Sequence, residues 1–242
     1  IIVKLGWKYN FLIYLIAIIE LIIVTLFCPK DDKVYSSTIE SRAMRTSRII
    51  NPTILYVWIV FFIYMAFLNT FPPNIALFIE GEGLGTSTIC GAASAMFLVS
   101  GFVCGLVYSK ITEIFKNYTF ALGVAVTAIG IVIVSNSYSA IVVICGAIVA
   151  GFGMGITLPT GNLKSAASVS PSQSAMAIAL GATSYQLAQF MTTFLVNPIA
   201  KAIFGEGVVR GRFKVSAMVL CAWAVIIFII TLLNSRLKAR RG

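Results

Sequence analysis

The sequence predicts an all-α protein that crosses a membrane about seven times, and three observations carry that reading. Hydrophobic residues make up 59% of the 242 and charged residues only 11%, whereas soluble domains sit at about 45–50% apolar and about 25% charged. The mean hydropathy is +0.98, and the apolar residues fall into runs of about twenty, the length a helix needs to cross a hydrocarbon core of about 30 Å. Glycines and prolines that would weaken a helix in water sit inside those runs, where lipid offers the backbone no other hydrogen-bond partner.

The first run covers residues 9–27 and ends at Pro29; residues 30–51 form the longest hydrophilic stretch. Asn51-Pro52 opens the second run with a cap residue and a proline at the first helical position. It reaches about residue 70, where Pro72-Pro73 are expected to stop it. An acidic, glycine-rich turn (residues 80–85) leads to a third run over 87–108, and a short connector leads to a fourth over 118–134.

Residues 139–162 form the fifth run, with no charge and with Gly146, Gly151, Gly153, Gly155 and Pro159 crowding its second half. Small residues let helices approach closely in lipid, so Gly151-x-x-x-Gly155 reads as a contact face and Pro159 as a weak point for flexing. Gly101-x-x-x-Gly105 in the third run is a second such face. Ser170-Pro171-Ser172-Gln173 matches a capping box and starts the sixth run, which ends at about residue 196 before Asn197-Pro198. The seventh covers 215–233 and finishes in a basic tail.

The net charge of +10 invites a nucleic-acid reading, but no basic face alternates with aromatics and most Lys and Arg lie between or after apolar runs, so no nucleic-acid partner is expected. The five cysteines are scattered singly, with no metal spacing, and there is no histidine. Nothing suggests an enzyme, a metal or a cofactor. The connectors of one side carry twelve of the 18 Lys and Arg and those of the other six. By the positive-inside rule the C-terminus is cytoplasmic and the chain multi-pass in the cytoplasmic membrane. The loop Lys201–Lys214 is the discordant piece; its positive charges are expected to be solvated, with an entry for anions as the alternative.

Polar residues single out the sixth run. At 100° per residue, Tyr185, Gln186, Gln189, Thr192 and Thr193 fall within an arc of about 120°. Unpaired amides in lipid cost kilocalories each, so that face must meet other helices or a wet cavity. A substrate-lining face and interhelical hydrogen-bond glue are both open. Asn69 and Tyr64, near the outer end of the second run, are weaker cavity candidates, with a packing or interface role as the alternative. The fourth and seventh runs carry almost nothing polar beyond Thr127 and Thr231, and so can face lipid all round. Glu20 is the one acid inside an apolar run. It reads either as a proton-carrying coupling residue or as a neutral acid bonded to a neighbour, and no other run supplies a cation to pair with it.

The order of these features resembles the major facilitator superfamily from its sixth membrane helix to the C-terminus. Gly6 to Tyr14 is similar to the turn before that helix, and a charged central connector follows. Gly83-Leu84-Gly85 resembles the entry to the eighth helix, the Gly151-to-Asn162 stretch the tenth, and Gln186 to Gln189 the eleventh. At the loop between eighth and ninth helices Gly105 and Lys110 match the family's glycine–acid–basic motif loosely, with Ser109 where an acid is expected.

The resemblance implies residues 1–28 as the last helix of an N-terminal half whose remainder lies upstream, 29–52 as the central cytoplasmic loop, and 53–242 as a six-helix bundle. It further implies a secondary transporter of small solutes working by alternating access, coupled to protons or ions. The second, third, fifth and sixth runs would line the cavity and the others would lie outside them. Efflux is the first expectation and uptake symport the second. The alternative from a different class is a truncated, non-transporting membrane protein or accessory subunit. Expected partners are a small-molecule substrate, the bilayer and the other half of the transporter.

Overall fold

A computed structural model describes residues 16–27, 51–205 and 209–239, and the chain divides into two compact units, Ile1–Ser47 and Arg48–Gly242. In the first, α1 (Ile16–Phe27) is apolar apart from Glu20 and Thr25. Thr25 Oγ1 returns a hydrogen bond to the Leu21 carbonyl at 2.6 Å, and Glu20 is exposed. The rest of the first predicted run, and nearly all of the central connector, lie outside the described residues.

The second unit opens as the cap residues require. The Asn51 side chain accepts from Ile54 N at 2.8 Å, Pro52 occupies the first turn of α2 (Pro52–Leu68), and Asn51 Nδ2 donates to the Ser168 carbonyl at 2.7 Å. Pro72-Pro73 do not end a helix, as expected from the sequence; they begin α3 (Phe71–Gly81). First-turn N–H groups have no intrahelical acceptor, so proline loses nothing there. The break falls at Asn69 and Thr70.

Then come α4 (Ser87–Phe115), a single 3-10 turn at Lys116–Tyr118 and α5 (Thr119–Ser135). One unbroken helix over those 49 residues would run about 73 Å, more than twice the hydrocarbon core. The chain reverses at Lys116, whose φ of 46° is one that few residues with a Cβ adopt.

The last three helices are α6 (Ala140–Ala167), α7 (Ser174–Phe204) and α8 (Val209–Ala239). Asn197-Pro198 was expected to close the sixth run, but Pro198 sits inside α7. Proline removes one hydrogen bond, whereas breaking the helix in an apolar setting frees several backbone groups. The serine half of the predicted capping box is not made either. Ser170 gives no side-chain cap, and Pro171–Gln173 is a 3-10 turn.

Within this unit α6 is central, packing most extensively on α5 and α4; α5 also packs on α8, and α7 on α2. Exchanging α2, α4 and α5 for α6, α7 and α8 turns the α4–α6 contact into α7–α2 and leaves α5–α8 unchanged. That is the pairing expected of two three-helix repeats.

The fourth run does not face lipid all round. Phe120, Val124, Thr127, Ala128, Ile131 and Val134 of α5 are buried, because Gly123 and Gly130 let α6 nest against its backbone. The seventh is two-sided: Phe213, Leu220 and Ile227 of α8 are buried while Met218, Val225 and Phe228 are exposed.

Candidate functional site

The site is built on α6, which meets a neighbour on each side through glycine. Toward α4, a Cβ on Gly151 would collide with the Phe97 carbonyl and Ser100 Oγ, and one on Gly155 would lie 2.8 Å from Cys104 Cβ. Gly101 answers from α4: a Cβ there would stand 3.2 Å from Gly151 O. Gly105, predicted to share this contact, does not; nothing lies within 4 Å of where its Cβ would be. Heptad-like spacing alone does not tell which side of α4 the neighbour takes, and Phe97, Gly101 and Cys104 form the face that is used.

Toward α5, the contact is Gly146 and Gly153 on α6 against Gly130 and Thr127. Pro159 lies inside α6, where it removes the N–H that would bond the Gly155 carbonyl. The helix is therefore thinned and one bond short in its second half.

The polar strip lies on α7. Tyr185 is half-buried and turns its ring edge to Phe61 of α2, centroids 5.7 Å apart. Thr192 is buried and donates to the Ala188 carbonyl at 3.1 Å. Gln186, Gln189 and Thr193 are exposed, and no hydrogen bond to either amide is present among the described residues. Beside them runs an apolar strip, Leu187, Phe190 and Phe194. Of the five stretches among the described residues that are long and apolar enough to cross a membrane, the one containing α7 is both the least hydropathic and the least buried.

The seam between α7 and α2 holds one unmet donor. Gly181 brings α7 close to the Trp58 indole, a Cβ there lying 3.2 Å from Nε1. That buried N–H has no partner in the described structure. Asn69 commits its amide to its own helix end, donating to Met65 O at 2.9 Å. No described hydrogen bond or ring contact joins it to the α7 strip.

Two further groups tie helices together, one read from the sequence as a weaker candidate beside Asn69 and one that sequence reasoning missed. Tyr64, fully buried, lies 2.9 Å from Thr127 Oγ1. Thr127 gives its own proton to the Gly123 carbonyl, so the tyrosine is the donor. The second group corrects the reading of the basic loop as solvated. Arg210 is 8% exposed and donates to both oxygens of Glu82, at 3.2 and 2.9 Å, and to the Ser135 carbonyl at 3.0 Å.

The guanidinium also stands over the Phe78 and Tyr138 rings, 5.0 and 4.5 Å from their centroids. Arg212 donates to Asn74 Oδ1 at 2.7 Å. The hydrogen bond from Arg210 holds the Glu82 carboxyl below its ordinary value, with burial opposing. One end of the bundle is thus tied through the ends of α3, α5 and α8. The other end holds a cavity of about 530 Å³ beside Lys164, and none of the predicted cavity residues lines it.

Long apolar helices seamed by glycine, with a polar helix face left open, define a multi-pass, all-α membrane protein. The family model of the Major Facilitator Superfamily matches residues 1–193. The chain belongs to that family of membrane transporters. No curated protein and no solved structure matched the chain.

Proposed function

We propose that this chain forms the C-terminal bundle of a secondary active transporter that moves small solutes by alternating access. In this reading the Gln186–Gln189–Thr193 strip of α7 lines the pathway opposite a second bundle of the same transporter. The observation that carries it is the mismatch on α7: the most polar of the apolar stretches is the one left most open. Two exposed amides with no partner are costly against acyl chains, but cost little against water or a polar solute.

Tyr185, packed edge-on to Phe61, closes one border of the strip. Trp58 Nε1 offers a donor at the same seam. The glycine contacts of α6 bring its backbone against the Phe97 and Gly101 carbonyls of α4 and the Gly130 carbonyl of α5. Pro159 supplies the point at which the helix can bend. Family membership supports coupling to a proton or ion gradient. Glu20, exposed on α1, is the proposed carboxylate for it, and the excess of Lys and Arg on one side supports a cytoplasmic C-terminus.

The test combines labelling with transport. Single cysteines at 186 and 189, in a chain otherwise free of cysteine, should react with a membrane-impermeant maleimide at rates that change when a pH gradient is imposed. Reaction only with a lipid-phase reagent would remove the pathway from this face. In proteoliposomes, gradient-driven flux of radiolabelled solutes, and its sign, separates efflux from uptake. Absence of any flux from the full transporter would support the non-transporting alternative.

A further inference from the structure

The two equivalent seams between the three-helix repeats are not equally tight. At one, α5 and α6 close on each other through Gly123, Gly130, Gly146 and Gly153. The equivalent seam under the exchange described above is α8 against α2. It has no glycine in α2 and only Gly211, at the start of α8. Instead, Trp223 of α8 reaches across and donates to the Val60 carbonyl at 3.2 Å. A bulky ring in place of glycine keeps these helices apart, and beyond it, toward the C-terminal end of α8, the 530 Å³ cavity opens.

Its lining has two chemistries. Val57, Val60, Phe120 and Ile227 form an apolar wall, of which the two valines and the other two side chains are buried. Asn117, Lys164, Thr231 and Asn234 present hydroxyl, amide and ammonium groups, and no carboxylate lines the space among the described residues. Lys164 stands 5.6 Å from the Phe120 ring centroid and makes no ion pair among the described residues. Lys116 and Arg236 adjoin lining residues in sequence. An ammonium without a counter-ion among the described residues, the Asn117 and Asn234 amide donors around it and an apolar wall beside it suit a tetrahedral anion carrying a hydrocarbon chain.

We infer that this cavity is a lipid site: it takes the phosphate of an anionic glycerophospholipid, with Lys164 as the charge partner and the Val57–Val60–Ile227 wall against the upper acyl chain. The inference does not depend on the transport reading. It places the bound lipid at the loose seam, away from the α7 strip.

The experiment is native mass spectrometry of the full chain released from nanodiscs of phosphatidylcholine doped with phosphatidylglycerol. Wild-type protein should retain phosphatidylglycerol over phosphatidylcholine. Lys164→Gln should retain roughly fivefold less, and Lys164→Arg should keep it. Thr231→Phe, which fills the cavity but leaves the charge, should lose both lipids from this site. That variant carries the test if Lys164→Gln does not fold. Inorganic phosphate, added to protein in detergent, should neither raise the melting temperature nor displace the lipid. Equal phosphatidylglycerol retention in all variants would overturn the site. Lys164-dependent stabilisation by phosphate alone, with no lipid retained, would overturn the lipid as its occupant.

Discussion

Adding one methyl group to α6 separates the packed seam from a mere pattern of small residues. In Gly151→Ala the new Cβ would fall on the Phe97 carbonyl and Ser100 Oγ. Neither backbone nor a short hydroxyl held by its bond to Phe97 O can swing aside, so α4 and α6 must separate. Forcing extra volume into a packed site costs about 1–3 kcal/mol. For a chain of this size that is a fall of about 2–12 °C in melting temperature.

The control is Gly105→Ala, four residues from Gly101 in the same x-x-x spacing, where nothing lies within 4 Å. There the methyl meets open space, and the gain in helix propensity is up to about 1 kcal/mol. Melting should stay level or rise. Fluorescence-detected size-exclusion chromatography after a temperature series reads both. Equal melting of the two variants, or a larger loss at Gly105, would refute the assignment of the α4–α6 contact to Gly101, Gly151 and Gly155.

Other predictions follow from the polar groups. Glu82→Gln leaves the buried Arg210 without its counter-charge and should cost about 1–3 kcal/mol, less than a fully buried pair because Glu82 is partly exposed. Its pH dependence has a definite sign: the folded-state carboxyl lies below the ordinary value of 4.5, so its contribution is complete above that value and disappears as pH falls through the lowered one. Melting curves of wild type and Glu82→Gln should therefore converge in acid and differ at neutral pH; a constant gap across pH would exclude an ionic role. Tyr64→Phe removes one interhelical donor to Thr127 and should lower stability by about 0.5–1.5 kcal/mol by thermal melting; no change would mean Thr127 holds α5 without it. Gln189→Leu should abolish gradient-driven flux in proteoliposomes while leaving the melting temperature within about 2 °C; a stabilised variant with full flux would make the strip lipid-facing.

Much of the bundle was legible before any coordinates. Asn51-Pro52 announced the start of α2, since a side-chain acceptor and a fixed φ act within one turn. The starts of α4 and α5 and the polar arc of α7 follow from run length and a 100° step, which are local too. The stops were read less well. Pro72 and Pro198 read as endings, yet one begins a helix and the other is carried inside one, because what surrounds a proline decides whether a lost hydrogen bond is tolerated. Gly105 shows the same limit: spacing names a face, and only the neighbour's position says whether the face is used.

The sequence by itself determined that this chain lives in lipid, that it is helical and that one helix carries amides no acyl chain would accept. Those properties depend on composition and on periods shorter than a turn or two. The tertiary structure alone decided that Arg210 would find Glu82, 128 residues away, that Tyr64 would donate to Thr127, and that Trp223 would hold a seam open above Lys164. Contacts between distant segments depend on how helices cross, and no periodicity within either segment records that.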